Sequence, residues 1–142
     1  MKKASKVLYV IAIIFNILSF FVVAGMFIGS YLMKHYPNSI AKMAIQYGIE
    51  ELNTAEKVLN MVVPVIIAAI VALAASIVLL IFGLRALKSL EKNEQNSTPH
   101  IVMIVLSALC GEVLYLLGGI FGVVNSSRLN RQNTPPPTTN QE

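Results

Sequence analysis

The sequence predicts an all-α integral membrane protein with three transmembrane helices, a short amphipathic helix between the first and second, and a disordered C-terminal tail. Three observations predict it. Hydrophobic residues make up 56% of the chain and charged residues 13%. Soluble domains carry roughly 25% charge, and a fold of this size in water could not hide so much apolar surface. The apolar residues gather into three runs, Val7–Met33, Met61–Leu84 and Ile101–Val124, each long enough as a helix to cross a hydrocarbon core of roughly 30 Å. The basic residues cluster beside these runs rather than within them. The layout that follows is a helical bundle over residues 1–126, with spans at about 7–33, 58–84 and 101–124 and an extramembrane segment at 34–57, then a tail at 127–142.

The net charge of +4 comes from 11 Lys and Arg against 7 acids. Placed beside apolar segments, such a balance suits anionic headgroups, at about 1 kcal/mol per residue near the surface. It forms no basic stripe with interleaved aromatics, so nucleic acid is excluded as a partner. The single cysteine, Cys110, permits no intramolecular disulfide and reads as a small packing residue.

Lys2, Lys3 and Lys6 precede the first run. A basic start followed by an apolar stretch also describes a signal peptide, whose apolar core is 7–15 residues long. This run continues past Ala24 through Met26, Phe27 and Ile28, which favours an uncleaved first span. Asn16 is its polar oddity. It either hydrogen-bonds a neighbouring helix, worth on the order of 0.6–2 kcal/mol in a bilayer, or partners Glu112. Gly25 and Gly29 form a small-xxx-small step that admits a close helix neighbour.

Pro37-Asn38 ends the first helix, and Ser39 is a candidate N-cap for the next. Ile40, Met43, Ala44 and Tyr47 repeat at helical spacing, opposite Lys42, Gln46 and Glu50. This amphipathic helix lies either on the membrane surface or against the end of the bundle. Asn53 followed by Glu56 fits a capping box at the start of the second span. Pro64 predicts a kink within it, and Ala68 and Ala72, with Ala75 and Ser76, make a lean flank for packing. Arg85, Lys88 and Lys92 alternate with Glu91 and Glu94 beyond that span, before Asn96–Pro99 turns the chain.

The third run holds one carboxylate, Glu112, at its middle. A carboxylate at bilayer depth is costly, so it is expected to turn toward other helices, protonate or find a partner. Glu112 and Tyr115 share a helix face, and with Asn16 they form the best intramembrane polar candidates. Gly111, Gly118 and Gly122 line an adjacent packing stripe. A bend at Gly111-Glu112 into two half-helices is the alternative to a straight crossing. Backbone exposed at that depth must be buried in protein or line water, so the straight crossing is the expectation.

Orientation follows from where Lys and Arg lie. With three crossings, Lys2, Lys3, Lys6, Arg85, Lys88 and Lys92 share one side, and Lys34, Lys42, Lys57, Arg128 and Arg131 the other. Six against five leaves the count undecided. The connection between the first two spans also carries acids while the first six residues carry none, which favours the N-terminus in the cytoplasm and the tail outside, with a dual-topology or inverted protein as the alternative.

Pro99-His100-Ile101-Val102-Met103-Ile104-Val105-Leu106 and Leu116-Leu117-Gly118-Gly119-Ile120-Phe121-Gly122 carry a resemblance. With the basic N-terminus and the polar segment after the first span, the layout from Lys2 to Arg128 resembles small multi-spanning membrane proteins of unknown function from Gram-positive bacteria. That resemblance implies a multi-pass protein of the bacterial plasma membrane. The family pattern tends to have a fourth span, whereas here one long run follows Pro99. No catalytic or ligand-binding residues carry over.

The sequence shows no nucleophile–base pair and no phosphate loop, and His35 and His100 stand alone without metal spacing. No catalytic activity, cofactor or metal is therefore expected. The leading expectation is a protein that acts by helix–helix interaction with another membrane protein or itself, as a homo-oligomer, in a regulatory, envelope-stress or immunity-type role. The alternatives are a small transport or pore component using Glu112, and a holin-like lysis protein.

Overall fold

The computed structural model describes residues 1–133, which are helical apart from short turns and contain no strand. Five α-helices follow in order: α1 Lys2–His35, α2 Pro37–Gln46, α3 Ala55–Glu91, α4 Thr98–Cys110 and α5 Val113–Asn133, with a single 3-10 turn at Glu50–Leu52. Two of them, α1 and α3, are long and apolar enough to cross a membrane. Their most apolar windows are only 22% and 17% buried. A core helix of a soluble protein turns most of its apolar surface inward, so these two expose what such a fold would hide.

The third span differs from the expectation. Instead of one straight helix over 101–124, the chain breaks at Gly111-Glu112 into α4 and α5. With 13 residues, α4 is about 20 Å long, short of a roughly 30 Å core. The apolar part of α5, Val113–Val124, is about 18 Å. The break has a local cause. Gly111 sits at φ 73°, the left-handed conformation that ends helices. The amides of Gly111 and Glu112 both donate to the Ser107 carbonyl, the second at 2.9 Å, which closes α4. The Glu112 carbonyl then accepts from the Leu116 amide at 3.1 Å and opens α5.

The two helices pack on each other. Gly119 meets Ile104 and the His100 carbonyl, and Gly122 meets the His100 ring. Residues equally distant from the turn therefore face each other, which defines an antiparallel hairpin. Nor does the tail begin at residue 127. The helix α5 continues to Asn133, with Arg131 in its last turn where a cation complements the helix dipole. The rest of the predicted tail, Pro135–Pro137 included, lies outside the described residues.

The chain divides into two compact units. The first contains Met1–Asn16, which includes the start of α1, the end of α3 from Val78, and the α4–α5 hairpin. Its core is Tyr9, Ala12, Leu79, Ala86, Leu90, Met103 and Tyr115. On α1 the buried residues Ser5, Tyr9, Ala12 and Asn16 fall at helical spacing and make one inward stripe. Polar contacts close the end of this unit. Lys6 pairs with Glu91 at 2.8 Å, Lys2 donates to the Asn93 side chain, and Asn130 donates to the Gln95 carbonyl.

The second unit, Ile17–Ile77, contains the remainder of α1, α2, the 3-10 turn and the first part of α3. Its buried apolar residues are small: Val23, Ala41, Ala44, Val58, Val62 and Ala69. The hydroxyls of Ser19 and Ser76 meet at 3.0 Å. Pro37 occupies the first turn of α2, so Tyr36 and not Ser39 is the N-cap, because the missing proline amide falls where a helix has no use for one. Of the predicted apolar face, Ala44 is buried while Met43 and Tyr47 are exposed.

The cap of α3 is also one residue later than the predicted box. The Lys57 amide donates to Thr54 Oγ1 at 3.3 Å. Asn53 instead accepts from Lys57 Nζ at 3.0 Å, beside the Glu50 carbonyl at 2.9 Å. Helix α3 runs on through Pro64.

Candidate functional site: the polar seam of the hairpin

The α1 stripe gives the first unit a polar seam. Ser5 donates to the Gly118 carbonyl at 2.7 Å, and Tyr9 Oη meets His100 Nδ1 at 3.0 Å with the two rings stacked. Tyr115 lies next to Tyr9, with ring centroids 6.3 Å apart, and the Asn16 amide lies beside the Tyr115 phenol. Tyr9, His100 and Tyr115 are all fully buried. Buried polar groups of this kind need partners, which ties α1 to both arms of the hairpin.

Glycines make room for the rings. A Cβ on Gly83 would stand 2.6 Å from Tyr115 Cε1, one on Gly118 3.3 Å from the Tyr9 ring, one on Gly119 2.7 Å from Ile104 Cγ1, and one on Gly122 2.5 Å from His100 Cγ. The close-contact step Gly118–Gly122 is therefore used inside the chain. Gly25 and Gly29 have nothing within 4 Å of a built Cβ, and their step is open. Ala68 is exposed and Ala72 half-buried. Gly111, expected in the packing stripe, serves the turn instead.

The three intramembrane polar candidates are brought close but not buried alike. Asn16 and Tyr115 are interior. Glu112 stands at the hairpin tip, exposed, with exposed Leu109, Cys110 and Val113 around it. The expectation of a carboxylate in the middle of a straight helix, sheltered by its neighbours, is thereby corrected. Glu112 faces outward because Gly111 reverses the chain just before it.

At the opposite end of the seam, the Lys6 ammonium beside Glu91 holds that carboxyl below the usual carboxylate range by hydrogen bond and charge.

Sequence reasoning missed Tyr9, His100, Gly83 and Gly119. His100 falls just outside the expected third span at 101–124, yet it is the residue on which Gly122 closes. The signal was the Ser5–Tyr9–Ala12–Asn16 spacing, which marks a polar face on an otherwise apolar helix. Among the described residues no group of three or more His, Cys, Asp or Glu is arranged to hold a metal ion. No family model, curated protein or solved structure matches the chain.

Proposed function

We propose that this chain is a small integral membrane protein that acts by helix–helix interaction with another membrane protein or with itself, in a regulatory, envelope-stress or immunity-type role. The two long apolar helices and their outward apolar faces support insertion. The hairpin supports an arrangement of two crossings plus a re-entrant pair, with both described ends on one side. Lys2, Lys3, Lys6, Arg85, Lys88, Lys92, Arg128 and Arg131 then share that side, against Lys34, Lys42 and Lys57. Eight against three follows the positive-inside rule, where three straight crossings gave six against five. The N-terminus is cytoplasmic in this reading, and the end of α5 joins it.

The observation that carries the proposal is the exposed Glu112. It stands at the hairpin tip just past α4, whose Ile101–Cys110 stretch is about 14 Å long, and Asn16 lies about 14 Å along α1 from Val7, both near the midplane of a roughly 30 Å core. An outward carboxylate at that depth is expensive in lipid and is accommodated by a polar partner. The open Gly25–Gly29 step offers a second place for a close neighbour.

The native Cys110, exposed beside Glu112, is the probe. Labelled in membranes with a thiol-reactive photo-crosslinker, it should yield a discrete protein adduct, and Glu112→Leu should remove that adduct. Capture of lipid alone, or an adduct indifferent to Glu112, would refute the proposal. The transport alternative uses the same carboxylate. Flux through liposomes that disappears in Glu112→Gln would favour it instead.

A further inference from the structure

A cleft of about 190 Å3 opens between the end of α3 and the start of α4, lined by Phe82, Arg85, Asn96, Thr98, Pro99 and Val102. We propose that it binds the phosphate of an anionic phospholipid, with the Arg85 guanidinium as the charge partner. The inference rests on the membrane placement above but not on the helix–helix role.

Three features of the cleft point to this ligand. First, Arg85 is exposed and its contact is with a ring, the guanidinium lying 5.7 Å from the Phe82 centroid. Among the described residues the ion pair found is Lys6 with Glu91, and Arg85 has no carboxylate within ion-pair distance, which leaves its guanidinium open to an anionic ligand. A guanidinium presents a planar fork of donors that matches phosphate oxygens.

Second, the polar part of the lining supplies side-chain donors rather than backbone ones. Asn96 Oδ1 accepts from the Thr98 amide at 2.9 Å, which turns the Asn96 NH2 group away from that bond as a donor. The Thr98 hydroxyl is a further donor. The first free amides of α4 are already used, since those of His100 and Ile101 donate to the Ser97 carbonyl at 3.0 Å, and Pro99 has none.

Third, the rest of the lining is apolar. Phe82, Pro99 and Val102 line the cleft beside the polar groups, and the cleft falls where the apolar run of α3 ends at Leu84 and that of α4 begins. A soluble phosphate has no use for such an apolar lining. The glycerol and first acyl carbons of a lipid do.

The test uses the full-length chain, extracted in mild detergent from the membrane fraction. It is titrated with phosphatidylglycerol, phosphatidylcholine or sn-glycerol 3-phosphate and read by native mass spectrometry. The expected result is one retained phosphatidylglycerol, preferred over phosphatidylcholine. Arg85→Gln should weaken that retention about fivefold, the factor one basic group supplies near an anionic headgroup. Lys88→Gln, a neighbouring cation outside the cleft, should leave it unchanged, and Val102→Trp should reduce it by filling the cleft.

Equal losses in Arg85→Gln and Lys88→Gln would mean diffuse surface charge and would overturn the site. Displacement by sn-glycerol 3-phosphate at comparable concentration would assign the cleft to a free phosphate and overturn the lipid. A chain recovered from the soluble fraction without detergent would instead sink the membrane reading, and that result is visible before any lipid is added.

Discussion

Replacing Gly122 by Ala tests the packing of the hairpin most directly. A methyl there would stand 2.5 Å from His100 Cγ and 2.9 Å from Cε1, about an ångström inside the optimal separation of two carbon atoms. The ring has little freedom to retreat. It is fully buried, stacked on Tyr9 and bonded to its hydroxyl at 3.0 Å. Overpacking of this sort costs about 1–3 kcal/mol, and losing the Tyr9–His100 bond would add about 1 kcal/mol.

The expected outcome is a lower thermal midpoint in detergent, with Gly122→Ala destabilised by about 2–4 kcal/mol. The same change should be nearly neutral in a His100→Ala background, because the clash is with that ring. A double-mutant cycle reads the coupling between the two positions. If Gly122→Ala melts like the parent, or if its cost persists unchanged without His100, the close approach of α5 to α4 is wrong.

Two further outcomes follow from the same unit. A reporter fused after Asn133 should be protected or exposed together with one placed at Met1, since the hairpin returns α5 to the end where α1 starts; opposite sidedness would restore a straight third crossing. The Lys6–Glu91 pair lowers the Glu91 pKa, so its contribution is present above the ordinary carboxylate value of 4.5 and is lost as pH falls through the lower folded value. The pair is half exposed and screened by salt, so the effect is small. Acidification well below pH 4.5, past the lower folded value, should erase the difference in thermal midpoint between the parent and Glu91→Gln; a difference that survives at pH 2 would refute the pairing.

Most of the helical content was legible because hydropathy and helix signals are local. The runs at Val7–Met33 and Met61–Leu84 are uninterrupted, and α1 and α3 follow them. The third run was legible as apolar but not as two helices. A 24-residue helix and two 12-residue halves have the same composition, and Gly111-Glu112 can sit within the first or divide the second. The candidate site was legible as Asn16, Glu112 and Tyr115, each a polar residue in an apolar setting. His100 was not, because its importance comes from Gly122 and Tyr9, residues that are its neighbours only after the chain has turned back.

The sequence by itself determined that this chain is helical, that two of its helices are long enough and apolar enough for a bilayer, and that its polar residues are few. Those properties depend on composition and on neighbours within a turn or two along the chain. Only the tertiary structure decided that Gly118, Gly119 and Gly122 are filled from within while Gly25 and Gly29 stay open, and that Glu112 faces outward at a turn. Which small residue receives which ring depends on steric fit between segments about 20 to 110 residues apart, and no local pattern encodes that fit.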